Sequence, residues 1–119
     1  MLAEEPAVEA ALKKLNQELE KNQIIHQFRE IEQRVAENQR LTELTAEIKA
    51  AQKAAVSFDY YEKPAAQKQA LAEADRLTAE FDNHPLVVAY RERLLEANDL
   101  IQYLTKRIQQ EMNEQLTDN

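Results

Sequence analysis

From Pro85 to Leu116 the chain reads PLVVAYRERLLEANDLIQYLTKRIQQEMNEQL, and Val87, Tyr90, Leu94, Ala97, Ile101, Leu104 and Ile108 recur through it at alternating spacings of three and four. That rhythm keeps one apolar stripe on a single side of a helix, as in a coiled-coil seam. The stretch contains no glycine, and its one proline stands first, where a helix tolerates a missing N–H. It predicts one continuous helix from about Pro85 to Leu116, roughly 45 Å long at about 1.5 Å per residue, with heptad spacing over about three heptads. Leu86, Val88, Leu95 and Leu100 add apolar positions outside the strict seam. A chain of 119 residues offers few partner helices for so long a stripe. The expectation is therefore an all-α, elongated helical bundle with a long C-terminal helix and coiled-coil-like packing. It completes its core by forming a homodimer, with Val87, Tyr90, Leu94, Ala97, Ile101, Leu104 and Ile108 as the candidate dimer seam.

Working back toward the N-terminus, the same periodicity predicts four more helices. The first covers about Pro6 to Glu20, with Val8, Ala11, Leu12, Leu15 and Leu19 on its apolar face. A short second helix carries Ile24, Phe28, Ile31 and Val35. A third covers about Gln39 to Ser57 through Leu41, Leu44, Ile48, Ala51 and Ala55. A fourth covers about Pro64 to Asp82, with Ala70, Ala74, Leu77 and Phe81 inward. Asn22, Asn38 and Asn83 each precede an apolar-periodic stretch and read as N-caps, the side-chain oxygen accepting from an orphan backbone N–H. Ser57 to Lys63 reads as a break, because Lys63 precedes Pro64 and is biased out of the helical region.

Composition supports this reading and narrows function. The chain has no glycine, cysteine or tryptophan and three prolines, with helix formers dominant, so a sheet protein is disfavoured. One domain over residues 1–119 is expected. The net charge of −7 opposes binding to a phosphate backbone, and Lys49, Lys53, Lys63 and Lys68 read as interspersed with acids. Without cysteine there is no disulfide and no thiolate for a metal or iron–sulfur centre. No apolar run is long enough for a membrane span. The start, Met1 to Pro6, lacks the basic and apolar regions of a secretory leader, so a cytoplasmic location is expected.

Side chains able to carry chemistry are sparse. His26 and Glu30 share a helix face four residues apart, but two ligands do not make a metal site. His84, just before Pro85, suits capping better than catalysis. Glu43–Glu47, Glu92–Glu96 and Glu111–Glu114 read as solvated helix faces rather than a carboxylate pair in a dry cleft. No glycine loop for phosphate exists, and Ser57 is the single serine. Asn98 reads either as a partly buried register-setting residue or as an ordinary exposed one. The expectation is a non-enzyme without catalytic, cofactor or metal residues. The aromatics Phe58, Tyr60 and Tyr61 in the break read first as a plug closing the bundle end. With Lys63 they read alternatively as a candidate partner surface, since tyrosine is enriched at interfaces.

An ordered series of segments carries a family likeness. Ile48-Lys49-Ala50-Ala51-Gln52-Lys53-Ala54-Ala55-Val56, Tyr61-Glu62-Lys63, Gln67-Lys68-Gln69-Ala70, Phe81-Asp82-Asn83-His84-Pro85-Leu86 and Asn98-Asp99-Leu100-Ile101-Gln102 resemble, in that order, the YlbF/YmcA family of small helical regulatory proteins. The likeness runs from about Phe28 to Leu116. It implies an all-α fold that dimerises and a regulatory adaptor that works through a complex with a YlbF-like paralogue and a YaaT-like protein. It further implies an association with RNase Y and mRNA processing, and control of competence, sporulation and biofilm formation in hosts that have them. Members of the sporulating type carry cysteines linked to iron–sulfur clusters. This chain has none, so a family-type cluster on it is not expected. The heptads taken alone fit a coiled-coil structural or chaperone-like protein equally well.

Overall fold

A computed structural model describes residues 5–117. Residues 1–4, which carry the sequence argument against a leader, fall outside that range. Five helices follow one another: α1 (Glu5–Lys21), α2 (Gln23–Glu37), α3 (Gln39–Tyr60), α4 (Pro64–Asp82) and α5 (Pro85–Thr117). Among the described residues there is no strand, so the fold is all-α. No helix among them is long and apolar enough to cross a membrane.

The helix starts are set by side-chain caps. The Asn22 Oδ1 accepts from the Ile24 N–H at 2.8 Å, and the Asn38 Oδ1 accepts from the Leu41 N–H at 2.9 Å. Each satisfies a donor that the first helical turn leaves unpaired. Asn83 departs from the expected pattern: it ends α4, its N–H bonding the Ala79 carbonyl, and His84 caps α5 by accepting from the Leu86 N–H on Nδ1 at 3.1 Å. Pro85 takes the first helical position, which lacks an intrahelical donor requirement.

Residues 31–90 form one compact unit. Within it α3 and α4 pack as an antiparallel hairpin, and Leu41, Leu44, Leu77 and Val87 form its core with Val35, Ile48, Phe81 and Leu86 against them. Leu44 is wholly buried. Arg40 on α3 clasps the carboxylate of Glu80 on α4 with Nε and Nη2 at 2.8–3.0 Å, and its Nη1 lies 3.6 Å from both Glu43 and Glu47. A forked pair of this kind fixes the register of the two helices more than it adds stability at an exposed site.

Residues 5–30 and 91–117 form the second unit. Here Ile25, Ala97, Leu104 and Ile108 are buried, and α1 is held to α5 by Lys14–Glu111 at 2.6 Å and by Glu18–Arg107. The α1 stripe is thinner than its periodicity predicts. Val8 and Leu12 stay largely exposed, while Ala11, Leu15 and Leu19 are half-buried. On α2 the buried residue is Ile25, beside the expected Ile24.

The seam of α5 is used differently from the expectation that a second chain covers it. Val87 lies in the hairpin core, and Ala97, Leu104 and Ile108 are buried in the other unit, all within a single chain. Tyr90 and Leu94 are half-buried, and only Ile101 reaches 38% exposure. The premise of a long bare stripe is therefore corrected: this chain's own helices occupy most of it. Outside the seam, Val88, Leu95 and Tyr103 are exposed, and so is Asn98, which sets no buried register.

Candidate functional site: the α3–α4 corner

Helix α3 does not stop at Ser57. It continues through Tyr60, so the break shortens to residues 61–63. The ending is a Schellman arrangement: the Lys63 N–H reaches the Phe58 carbonyl at 2.8 Å and the Glu62 N–H reaches the Asp59 carbonyl at 3.1 Å. Glu62 stands at the left-handed position with φ 55°, where glycine is the usual occupant. The chain has no glycine to place there, and the carbonyls of the last turn are satisfied at the expense of local backbone strain.

This geometry presents the aromatic side chains. Phe58 is half-buried, whereas Tyr60 and Tyr61 are 79% and 66% exposed. Their rings meet edge to face, centroids 5.0 Å apart at 89°. Reading the three aromatics as a plug is thereby corrected: consecutive residues at a helix end diverge, and only Phe58 turns toward the protein. Lys63 is exposed beside them. Phe58, Tyr60, Tyr61 and Lys63 are thus neighbours at one corner, with Val56 exposed one turn before Tyr60 and Leu71 exposed on α4.

Residues 48–72 hold Lys49, Lys53, Lys63 and Lys68 against Asp59 and Glu62, a formal +2 in a chain of −7. Among the described residues none of the four ammonium groups is ion-paired, unlike Arg40 and Arg76, which are clasped by Glu80 and Glu73. The lysines are therefore not neutralised by acids in the way a simple reading of interspersed charge suggests. Midway along α4 the Glu73 carboxyl is held below its usual range, first by the hydrogen bond from Arg76.

Recesses mark the surface of the described residues. One of 280 Å³ is lined by Thr45, Ile48, Lys49, Gln52 and Phe81 on the hairpin. Between α1 and α5 a second, of 200 Å³, is lined by apolar and neutral side chains including Leu12, Leu15 and Met112, and a third contains Lys14 and Glu111, already paired. Among the described residues no three His, Cys, Asp or Glu side chains converge as metal ligands, and His26 and Glu30 are both exposed.

Comparison with known proteins agrees with the ordered likeness. The chain is 33% identical over 89 residues to a Bacillus subtilis (strain 168) protein described as uncharacterized protein YmcA, covering 75% of this chain. The chain spans 62% of the length of that curated relative. Residues 8–113 match the family described as control of competence regulator ComK, YlbF/YmcA. With the match extending over all five helices, the chain belongs to the YlbF/YmcA family.

Proposed function

We propose that this chain is a non-catalytic, cytoplasmic regulatory adaptor, a single YlbF/YmcA-like domain that acts by binding other proteins. It works with a YlbF-like paralogue and a YaaT-like protein to modulate RNase Y-dependent mRNA processing. In hosts that have these programmes it contributes to competence, sporulation and biofilm formation. Family membership supports the regulatory part, because the family is described by control of a competence regulator. The observation that carries the adaptor part is the solvent-facing Tyr60–Tyr61 pair on a rigid helix corner. Exposed paired aromatics on a fixed scaffold suit a protein contact, where tyrosine gives large contact area at low entropic cost.

No iron–sulfur cluster is assigned to this chain, since it has no thiolate to hold one. Homodimerisation of the isolated protein is part of the proposal. After correction of the seam it rests on Ile101, the seam residue of α5 left exposed.

The test is genetic and biochemical. Deleting the gene in its host is expected to leave RNase Y-dependent transcripts uncleaved at mapped 5′ ends. A wild-type copy is expected to restore cleavage, and a Tyr60→Ala/Tyr61→Ala copy to restore less. Unchanged transcript ends in the deletion strain would refute the RNA-processing role.

A further inference from the structure

We propose that the outer face of α3, ending at the Tyr60–Tyr61 corner, binds an acidic amphipathic helical segment of a partner protein. This rests on the adaptor reading and adds the chemistry of the occupant. Lys49, Lys53, Val56 and Tyr60 stand at i, i+4, i+7 and i+11, which places them on one side of the helix over about 16 Å. All four are exposed. Thr42, Thr45, Ala46 and Gln52 flank them, and Lys49 and Lys53 have no acid three or four residues away, the nearest carboxylates of the segment being Asp59 and Glu62 at the corner end.

The charge balance names the sign of the occupant. Residues 48–72 carry a formal +2, leaving −9 on the rest of the chain. The four lysines have no ion pair within the described residues, so their ammonium groups are available to carboxylates from outside. Such complementarity steers encounter and fixes register. The apolar elements name its shape. The 280 Å³ recess floored by Ile48 and Phe81 opens beside Lys49, and Val56 and Tyr60 continue the apolar line. A helix with apolar side chains every three or four residues and acids alongside matches both features.

Nucleic acid fits less well. Tyr60 and Tyr61 pack edge to face on one another rather than standing as separate stacking platforms, and the average field of a −7 chain repels a long polyanion.

The experiment places the photocrosslinker p-benzoylphenylalanine at Val56 in the full chain in its native host. Irradiated adducts are purified and sequenced by mass spectrometry. A parallel strain carries the crosslinker at Leu95, an exposed position on α5. The expected Val56 adduct is a protein segment of net negative charge with apolar residues at three-four spacing. Lys49→Glu/Lys53→Glu is expected to lower its yield at least roughly ten-fold. The equal charge change Lys13→Glu/Lys21→Glu on α1 leaves the yield within about two-fold, with helicity of both variants unchanged by circular dichroism. Adducts at Val56 to RNA, to this chain itself, or to a neutral or basic segment overturn the proposal. So does an adduct indifferent to the Lys49/Lys53 reversal. Protein adducts from Leu95 alone refute this face while leaving the adaptor reading intact, and none from either position refutes both.

Discussion

Tyr60 and Tyr61 meet edge to face with ring centroids 5.0 Å apart, and neither ring is covered by the rest of the chain. Truncating either removes contact area from the surface without opening a cavity. Tyr60→Ala is expected to weaken binding to the YlbF-like paralogue by about 1–2 kcal/mol if the ring is an interface anchor. The melting temperature should stay within about a degree, since the cap at this helix end is made by backbone groups and the exposed ring covers no core. Titration calorimetry and a thermal scan on the same preparation check this. A lower melting temperature with unchanged affinity in both single variants moves the partner surface elsewhere.

Glu62 sits at φ 55°, a position where any side chain costs energy relative to glycine. Glu62→Gly should therefore stabilise the protein, by about 1 kcal/mol after the extra flexibility of the unfolded chain is taken off. Urea unfolding measures it. A loss of stability would mean that the Glu62 side chain contributes more than its backbone strain costs.

Two neighbouring positions of α5 separate the core from the proposed homotypic contact. Leu104 is buried within the chain, and Ile101 is 38% exposed. Leu104→Glu is expected to unfold the protein, because an uncompensated charge enters an apolar core. Ile101→Glu is expected to keep native helicity but sediment as a monomer where the wild type sediments as a dimer. A dimer that survives Ile101→Glu places the homotypic contact elsewhere.

The Lys14–Glu111 pair links α1 to α5 at 2.6 Å. The hydrogen bond from Lys14, then its charge, holds the Glu111 carboxyl below the usual range, with Arg107 adding to the effect against some desolvation. A depressed folded value means the contribution is present above the ordinary glutamate value and is lost as pH falls through the folded one. The stability gap between wild type and Glu111→Gln should be open at about pH 7 and should shrink as pH falls below the ordinary glutamate range. Urea midpoints across that range test it, and a gap that widens on acidification contradicts the sign. Because the pair is exposed, added salt should narrow the gap.

Sequence periodicity was a good guide to the helices and a poorer guide to what their faces touch. Leu41, Leu44, Ala74 and Leu77 are buried as their spacing predicts, and Leu44→Ala should cost about 2–5 kcal/mol. The α5 seam is equally legible as a stripe, but spacing cannot tell a partner in the same chain from one in a second chain. Asn83 and His84 show the same limit locally. Both can cap, and only the backbone path decides that Asn83 closes α4 while His84 opens α5. Helix α3 runs three residues past Ser57 because proline restricts only the residue before it, leaving Phe58 to Tyr60 free to stay helical. The cationic end of the hairpin was present in the sequence, but its meaning needed the ion pairs, which engage the arginines and leave the four lysines open.

The central claim is that this chain acts by being bound. Affinity purification of the chromosomally tagged protein from its host, followed by native mass spectrometry, tests that most directly. A discrete complex containing this chain and the YlbF-like paralogue in fixed stoichiometry is predicted, depleted when Tyr60 and Tyr61 are both alanine. Recovery of this chain alone, or with a mixed population of unfolded clients in no fixed ratio, would contradict it.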